Sequence, residues 1–139
     1  MAEINTDYFF RCIATLEQAL TELHRQPVDS TMYNIYRAAC VKEFEIILEQ
    51  TGKLLKKRLK PYFASSKLVD QITFKDIFRH AAKHSLITLE EAERWLQYRD
   101  NRNDTAHDYG EGCANQTLEI LPQFIQDAYR IHTVIQSQP

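Results

Sequence analysis

Hydrophobic residues in this chain recur at steps of three and four, and strict alternation is absent. The first such stretch runs from about Asn5 to Arg25. There Tyr8, Phe9, Cys12, Ile13, Leu16, Ala19, Leu20 and Leu23 share one broad helical face. Pro27 stops it, because proline lacks the amide donor that a helix interior needs. The second stretch runs from about Ser30 to Leu59, with Asp29 or Ser30 as its N-cap. Its stripe is Tyr33, Tyr36, Ala39, Cys40, Phe44, Ile47, Leu48, Leu54, Leu55 and Leu59. Gly52 weakens this helix by about 1 kcal/mol relative to alanine without ending it, and Pro61 ends it.

Three further stretches follow. "TFKD" opens one, with Thr73 as cap, Asp76 at the reciprocal capping-box position, and Phe74, Ile77, Phe78, Ala81 and Ala82 as the apolar face. "TLEE" opens the next, where Thr88 and Glu91 repeat that signature ahead of Leu89, Ala92, Trp95 and Leu96. The last runs from about Gly112 to Gln136, with Leu118, Leu121, Phe124, Ile125, Ala128, Ile131 and Ile135 in register. Pro122 lies inside it, so this helix is expected to kink or restart there. The pattern predicts an all-α fold, an up-and-down bundle of four main helices plus a shorter one, in a single domain over residues 1–139.

Composition supports this. The 139 residues include three glycines and four prolines, too few for a many-turned β architecture. The net charge of −2 argues against a protein that coats nucleic acid non-specifically, but leaves room for a small, one-sided nucleic-acid site. Cys12, Cys40 and Cys113 are widely spaced and contain no CxxC pair, so they form neither a disulfide framework nor a zinc pattern. The N-terminus "MAEINTDYFF" lacks the basic and apolar regions of a signal peptide. No apolar run approaches the roughly 18 residues of a membrane span. A cytoplasmic location without membrane contact is expected.

The candidate chemistry lies in "RDNRNDTAHDYG", residues 99–110. Continuing the phase of Leu89, Ala92 and Leu96 at about 100° per residue places Arg99, Asn103 and His107 on the core side, with Arg102 at its edge. Arg102 and His107 stand about 140° apart on an ideal helix. They converge only if the helix ends or bends between them, or if each faces a site completed by a second subunit. A solvated helix end, where Arg and His suit the dipole, accounts for the same residues.

Other clusters are weaker. Asp76, His80 and His84 fall on one face of the third helix, but no fourth ligand accompanies them, so no metal site is predicted. "KLLKKRLK", residues 53–60, is a basic amphipathic run that either faces solvent or lines an RNA groove through phosphate contacts. Glu90, Glu91 and Glu93 suit the dipole of a first turn rather than catalysis.

"RNDTAHDY", residues 102–109, resembles the R-x4-6-H signature of the HEPN superfamily, with Arg102 and His107 as the pair. His107-Asp108-Tyr109 is similar to the H-x-Y ending of the branch found beside minimal nucleotidyltransferases. "KEFEIILEQTGKLLKK" resembles that family's second helix, and "HAAKHSLI" with "RWLQYRDNRN" its third and fourth, so the likeness spans roughly residues 5–136. The resemblance implies a toxin that cleaves RNA without a metal or cofactor, a homodimer with two motifs facing each other, and a cognate minimal nucleotidyltransferase as antitoxin. It implies catalytic roles for Arg102, His107 and Asn103, supporting roles for Arg99 and Asp104, and Tyr109 as the residue the partner modifies with AMP. The residue types suit such chemistry: an imidazole moves a proton near neutral pH, and a guanidinium holds a phosphate. A non-catalytic subunit that binds a nucleotidyltransferase and presents substrate to it is the rival reading. A plain helical interaction module is a third.

Overall fold

The structure is a computed structural model that describes the backbone of residues 4–107 and 111–137, and the side chains of the same ranges apart from 104–107 and 111. It is all-α: α1 (Asp7–Leu23), α2 (Thr31–Leu59), α3 (Ser66–Asp70), α4 (Phe74–Lys83), α5 (Leu89–His107) and α6 (Glu111–Gln136), with a 3-10 turn over Lys60–Tyr62. Among the described residues no helix is long and apolar enough to cross a membrane.

Local chemistry sets the boundaries. Of the two candidate caps of α2, Ser30 does the work, its hydroxyl accepting from the Tyr33 amide at 3.1 Å. Pro61 converts the end of α2 into the 3-10 turn, where its missing donor is harmless. Helix α3 has no counterpart in the hydrophobic pattern. It is five residues long, capped by Ser65 on the Leu68 amide, and only Val69 is buried, so no periodicity can show. Thr73 caps α4 as expected, but the Asp76 carboxylate turns to Arg79 at 3.5 Å. The α4 C-terminus closes with Leu86 N–H on the Ala81 carbonyl and Ser85 N–H on that of Ala82. This Schellman ending places Ser85 at a φ of 61°, a position that favours glycine. At α5 the capping box is complete: Glu91 N–H donates to Thr88 Oγ1 at 3.1 Å, and Thr88 N–H donates to Glu91 Oε1 at 3.3 Å.

Helix α6 runs from Glu111 to Gln136 through Pro122, so the helix does not restart there. Pro122 itself is exposed.

Cross-links fix the helix directions. Arg37 of α2 reaches Asn115 of α6 at 3.4 Å, and at the other end Arg58 donates to the Val134 carbonyl at 3.3 Å, so α2 and α6 run parallel. Helix α5 opposes α6, pairing Asn101 with Thr117 and Arg94 with Asp127. Helix α1 also opposes α6, through Tyr129 with Glu17 and Gln136 with Thr6. The result is the expected up-and-down bundle, with α3 and α4 inserted between α2 and α5.

The core is aromatic where four helices meet. Trp95 of α5 stacks on Phe78 of α4 at 5.3 Å and meets Phe124 of α6 edge-on at 5.5 Å. Phe124 in turn meets Phe44 of α2 at 4.7 Å. Each such pair adds about 0.5–1.5 kcal/mol beyond its area burial. Gly52 has a positive role here. A Cβ at this position would stand 3.0 Å from the Phe74 ring, so the missing side chain lets α4 approach α2.

Candidate functional site

One end of the bundle gathers the C-terminal turns of α5, the first turns of α6 and the first half of α2. What holds α5 in place is a carboxylate below that end. Asp127 of α6 is fully buried and accepts two hydrogen bonds from Arg94, both at 2.8 Å, one from the Tyr98 hydroxyl at 2.6 Å and one from Gln123 at 3.3 Å. Burial alone would raise the Asp127 pKa, but the bonds from Arg94 and Tyr98 outweigh it and hold the carboxyl below its ordinary range. Burial, together with the bond to Asp127, pushes the Tyr98 phenol well above its usual value. This node leaves no obvious trace in the sequence: Asp127 interrupts an apolar stripe like any solvated residue.

The node also sets the rotation of α5. Glu91, Ala92, Trp95 and Tyr98 are the buried positions, whereas Leu89 is 70% exposed because it is the first residue of the helix. Taking Leu89 as a phase marker therefore misplaces the stripe. Arg102, not Asn103, continues the inward face, and Asn103 is exposed. Arg99 lies on the flank, half-buried, its guanidinium 4.8 Å from the centre of the Phe74 ring.

Arg102 Nε stands 3.9 Å from Glu45 Oε1 of α2, with both side chains partly exposed. Sequence reasoning missed Glu45, because nothing local connects residues 57 positions apart. At the residue just before Arg102, the Thr117 hydroxyl, fully buried on α6, donates to Asn101 Oδ1 at 3.1 Å and fastens α5 to α6 beside the motif. Helix α5 continues without a break through His107, so no helix end separates Arg102 from His107. The side chains of Asp104 and His107, and all of Tyr109, lie outside the described residues.

The other candidates resolve into structural roles. His84 stacks on Tyr62 at 4.1 Å and His80 meets Phe63 edge-on at 4.9 Å, so both rings pack the segment after α2. No group of three or more side chains suited to a metal ion is found among the described residues. In the basic run, Arg58 is buried: it donates to the Val134 carbonyl and lies 3.2 Å from Ser137 Oγ, satisfying the end of α6. Lys53, Lys57 and Lys60 are exposed. Glu91 is buried in the capping box and 3.9 Å from Arg130.

Comparison with known proteins adds a family to this geometry. The model of the family described as nucleotidyltransferase substrate binding protein like matches residues 5–137. A Haemophilus influenzae protein named probable ribonuclease HepT is 27% identical over 129 residues, covering 88% of this chain and 86% of that protein. A solved Haemophilus influenzae structure, described as revealing the fold of a substrate binding domain of a nucleotidyltransferase, superposes with a TM-score of 0.83 at 24% identity, covering 96% of this chain and 100% of that one. A tri-AMPylated Shewanella oneidensis HEPN toxin, solved in complex with an MNT antitoxin, superposes with a TM-score of 0.67 at 16% identity, covering 97% and 100%. The resemblance carried by residues 102–109 is thereby borne out for the family and the fold.

Proposed function

Because this chain belongs to the family of nucleotidyltransferase substrate binding protein like proteins, we propose that it is the RNA-cleaving toxin of a pair whose antitoxin is a minimal nucleotidyltransferase. The observation that supports this reading is the continuous α5, whose last turns carry Arg102 and His107 in sequence, in a chain similar to a protein named as a ribonuclease. RNA brings its own nucleophile. His107 takes the proton from a 2′-hydroxyl, the 2′-oxygen bonds to the adjacent phosphorus, and the bond from phosphorus to the 5′-oxygen breaks, that oxygen leaving with the proton an imidazolium returns. The products are a 2′,3′-cyclic phosphate and a 5′-hydroxyl. Arg102 holds the phosphate and stabilises charge on the pentacoordinate transition state, and Asn103, at the exposed edge of the helix, contacts the strand. Arg99 and Asp104 support them. No metal or cofactor is needed for these steps.

An unbroken helix keeps Arg102 and His107 about 140° apart, with a rise between them of about 7.5 Å. A two-fold dimer that opposes two copies of the α5 end brings both residue types to one phosphate. Tyr109 follows two residues after His107. AMP transferred to it by the partner would set negative charge and bulk where RNA must bind.

The test is cleavage of RNA by the purified protein in EDTA, with the product ends identified. His107→Ala and Arg102→Ala should each abolish cleavage while leaving the helical circular dichroism unchanged, and activity that survives both refutes the nuclease. Intact-mass spectrometry with the partner and Mg-ATP should show an AMP adduct that Tyr109→Phe lacks.

The rival reading, a substrate-presenting subunit of the nucleotidyltransferase, is favoured by the family's description and by that of the 24%-identical Haemophilus influenzae structure. It predicts no cleavage by the purified chain under any condition.

A further inference from the structure

Beside the motif, between α2 and α4, lies an open groove of about 200 Å³. Its walls carry three cations, Lys53 and Lys56 of α2 and Arg99 of α5, against one carboxylate, Glu49. Its floor is Phe74, seated there because residue 52 is glycine: a Cβ would meet the ring at 3.0 Å and push it outward. Phe74 is committed on several sides. Its ring packs on Phe78 at 4.8 Å, adjoins Gly52 and carries the Arg99 guanidinium, so it is poorly placed to stack a nucleobase. What it does is hold a guanidinium in place. Among the described residues, Arg99 makes no ion pair or hydrogen bond, so its donors remain available to an incoming anion. The lysines are held only lightly. Lys53 stands 3.5 Å from Glu49 with both side chains about two-thirds exposed, and Lys56 donates to the Asp70 carbonyl at 3.1 Å. Such an exposed pair is weak and gives way easily to a phosphate.

We propose that this groove binds a backbone phosphate of the RNA strand flanking the cleaved bond, with Arg99 and Lys56 as its principal contacts and Lys53 at the rim. The proposal rests on the nuclease reading above for its substrate. Its placement follows from α5: Arg99 precedes Arg102 by three residues, a rise of about 4.5 Å along the helix, so a strand held at Arg102 passes the mouth of the groove. The contacts are to phosphate only, so they position the strand without reading its sequence.

The test uses the full-length Lys53→Gln/Lys56→Gln double variant, whose changes lie on the surface, alongside Arg99→Gln. Binding of a fluorescent single-stranded RNA to the His107→Ala background, followed by anisotropy across a salt series, separates binding from cleavage. Each lost phosphate contact should lower the slope of log K against log salt by about 0.7. In the cleaving protein, kcat/KM for a long oligonucleotide should fall about tenfold, because one charge-assisted contact is worth roughly 1.4 kcal/mol. Cleavage of a dinucleotide, which is too short to enter the groove, should not change in the Lys53→Gln/Lys56→Gln variant. Cleavage with unchanged affinity and salt slope in the variants would overturn the groove and leave the nuclease standing. Groove-dependent binding without cleavage by the wild type would overturn the nuclease and keep the groove. A wild type that neither binds nor cleaves RNA overturns both.

Discussion

Helix α5 carries three arginines on one continuous element, and two parts of it use them in opposite ways. In the first half, Arg94 is locked by two 2.8 Å hydrogen bonds onto Asp127, a carboxylate with no solvent exposure. In the last turns, Arg102 reaches Glu45 at 3.9 Å in a partly exposed pair, and Arg99 rests on an aromatic ring. The residue type is the same, but the surroundings decide the role. A guanidinium whose donors are taken by a buried acceptor holds two helices together. One that rests on an aromatic ring, as Arg99 does, keeps its hydrogen-bonding capacity for a ligand. The inner half of α5 is therefore a foundation, and the outer half is what it supports.

The largest effect on stability should come from breaking the foundation. Asp127→Ala strips the acceptor from Arg94 and Tyr98 and should cost about 3 kcal/mol, the loss expected when one partner of a buried ion pair is removed. A melting temperature lower by on the order of 10 °C in differential scanning calorimetry would agree. An unchanged melting temperature would show that the node is dispensable.

Acid should probe the same contrast more gently. The Asp127 carboxyl is held below its ordinary value of 3.8, so its contribution is complete above that pH and is lost as the pH falls through its lower folded value. His132 acts earlier. Burial lowers its pKa from 6.5 while its Nε2 lies 3.1 Å from Thr6 Oγ1, so below pH 6.5 the unfolded chain binds a proton that the native ring resists. Stability measured by urea titration should thus decline slightly below pH 6.5 and steeply below pH 4. His132→Gln should remove the first step alone, and a persistent first step in that variant would assign it elsewhere.

The smallest effect belongs to the turn that leads into α5. Ser85 occupies a left-handed conformation at the end of α4. Ser85→Gly should stabilise the fold by about 0.5–1 kcal/mol, seen as a higher urea midpoint with unchanged m-value. Destabilisation there would mean that the serine hydroxyl has a role the backbone geometry does not suggest.

Much of this architecture is legible in the sequence, because helical periodicity, caps and prolines are local signals. The Thr88–Glu91 box and the stripes of α1, α2 and α6 are examples. Helix α3 is not, since one buried residue makes no pattern. The rotation of α5 is lost for another reason: Leu89 reads as apolar face, yet Trp95 and the reach of Arg94 and Tyr98 to Asp127 set the phase. For the candidate site, the motif at 102–109 is visible as a string of residue types. Glu45, Phe74 and the groove over Gly52 are not, because they come from distant segments. Gly52 alone leaves a hint, as an isolated glycine in a helix often marks close packing.

The division of α5 is tested most directly by measuring RNA-cleavage rates of Arg102→Ala and Arg94→Ala in EDTA, at a temperature where both variants remain folded. Arg102→Ala should melt like the wild type and lose detectable cleavage, a fall of at least about 10²–10³-fold as expected for loss of a charge-stabilising donor. Arg94→Ala should melt earlier yet cleave close to the wild-type rate. Wild-type cleavage by Arg102→Ala, or equal inactivity of a folded Arg94→Ala, would contradict the account.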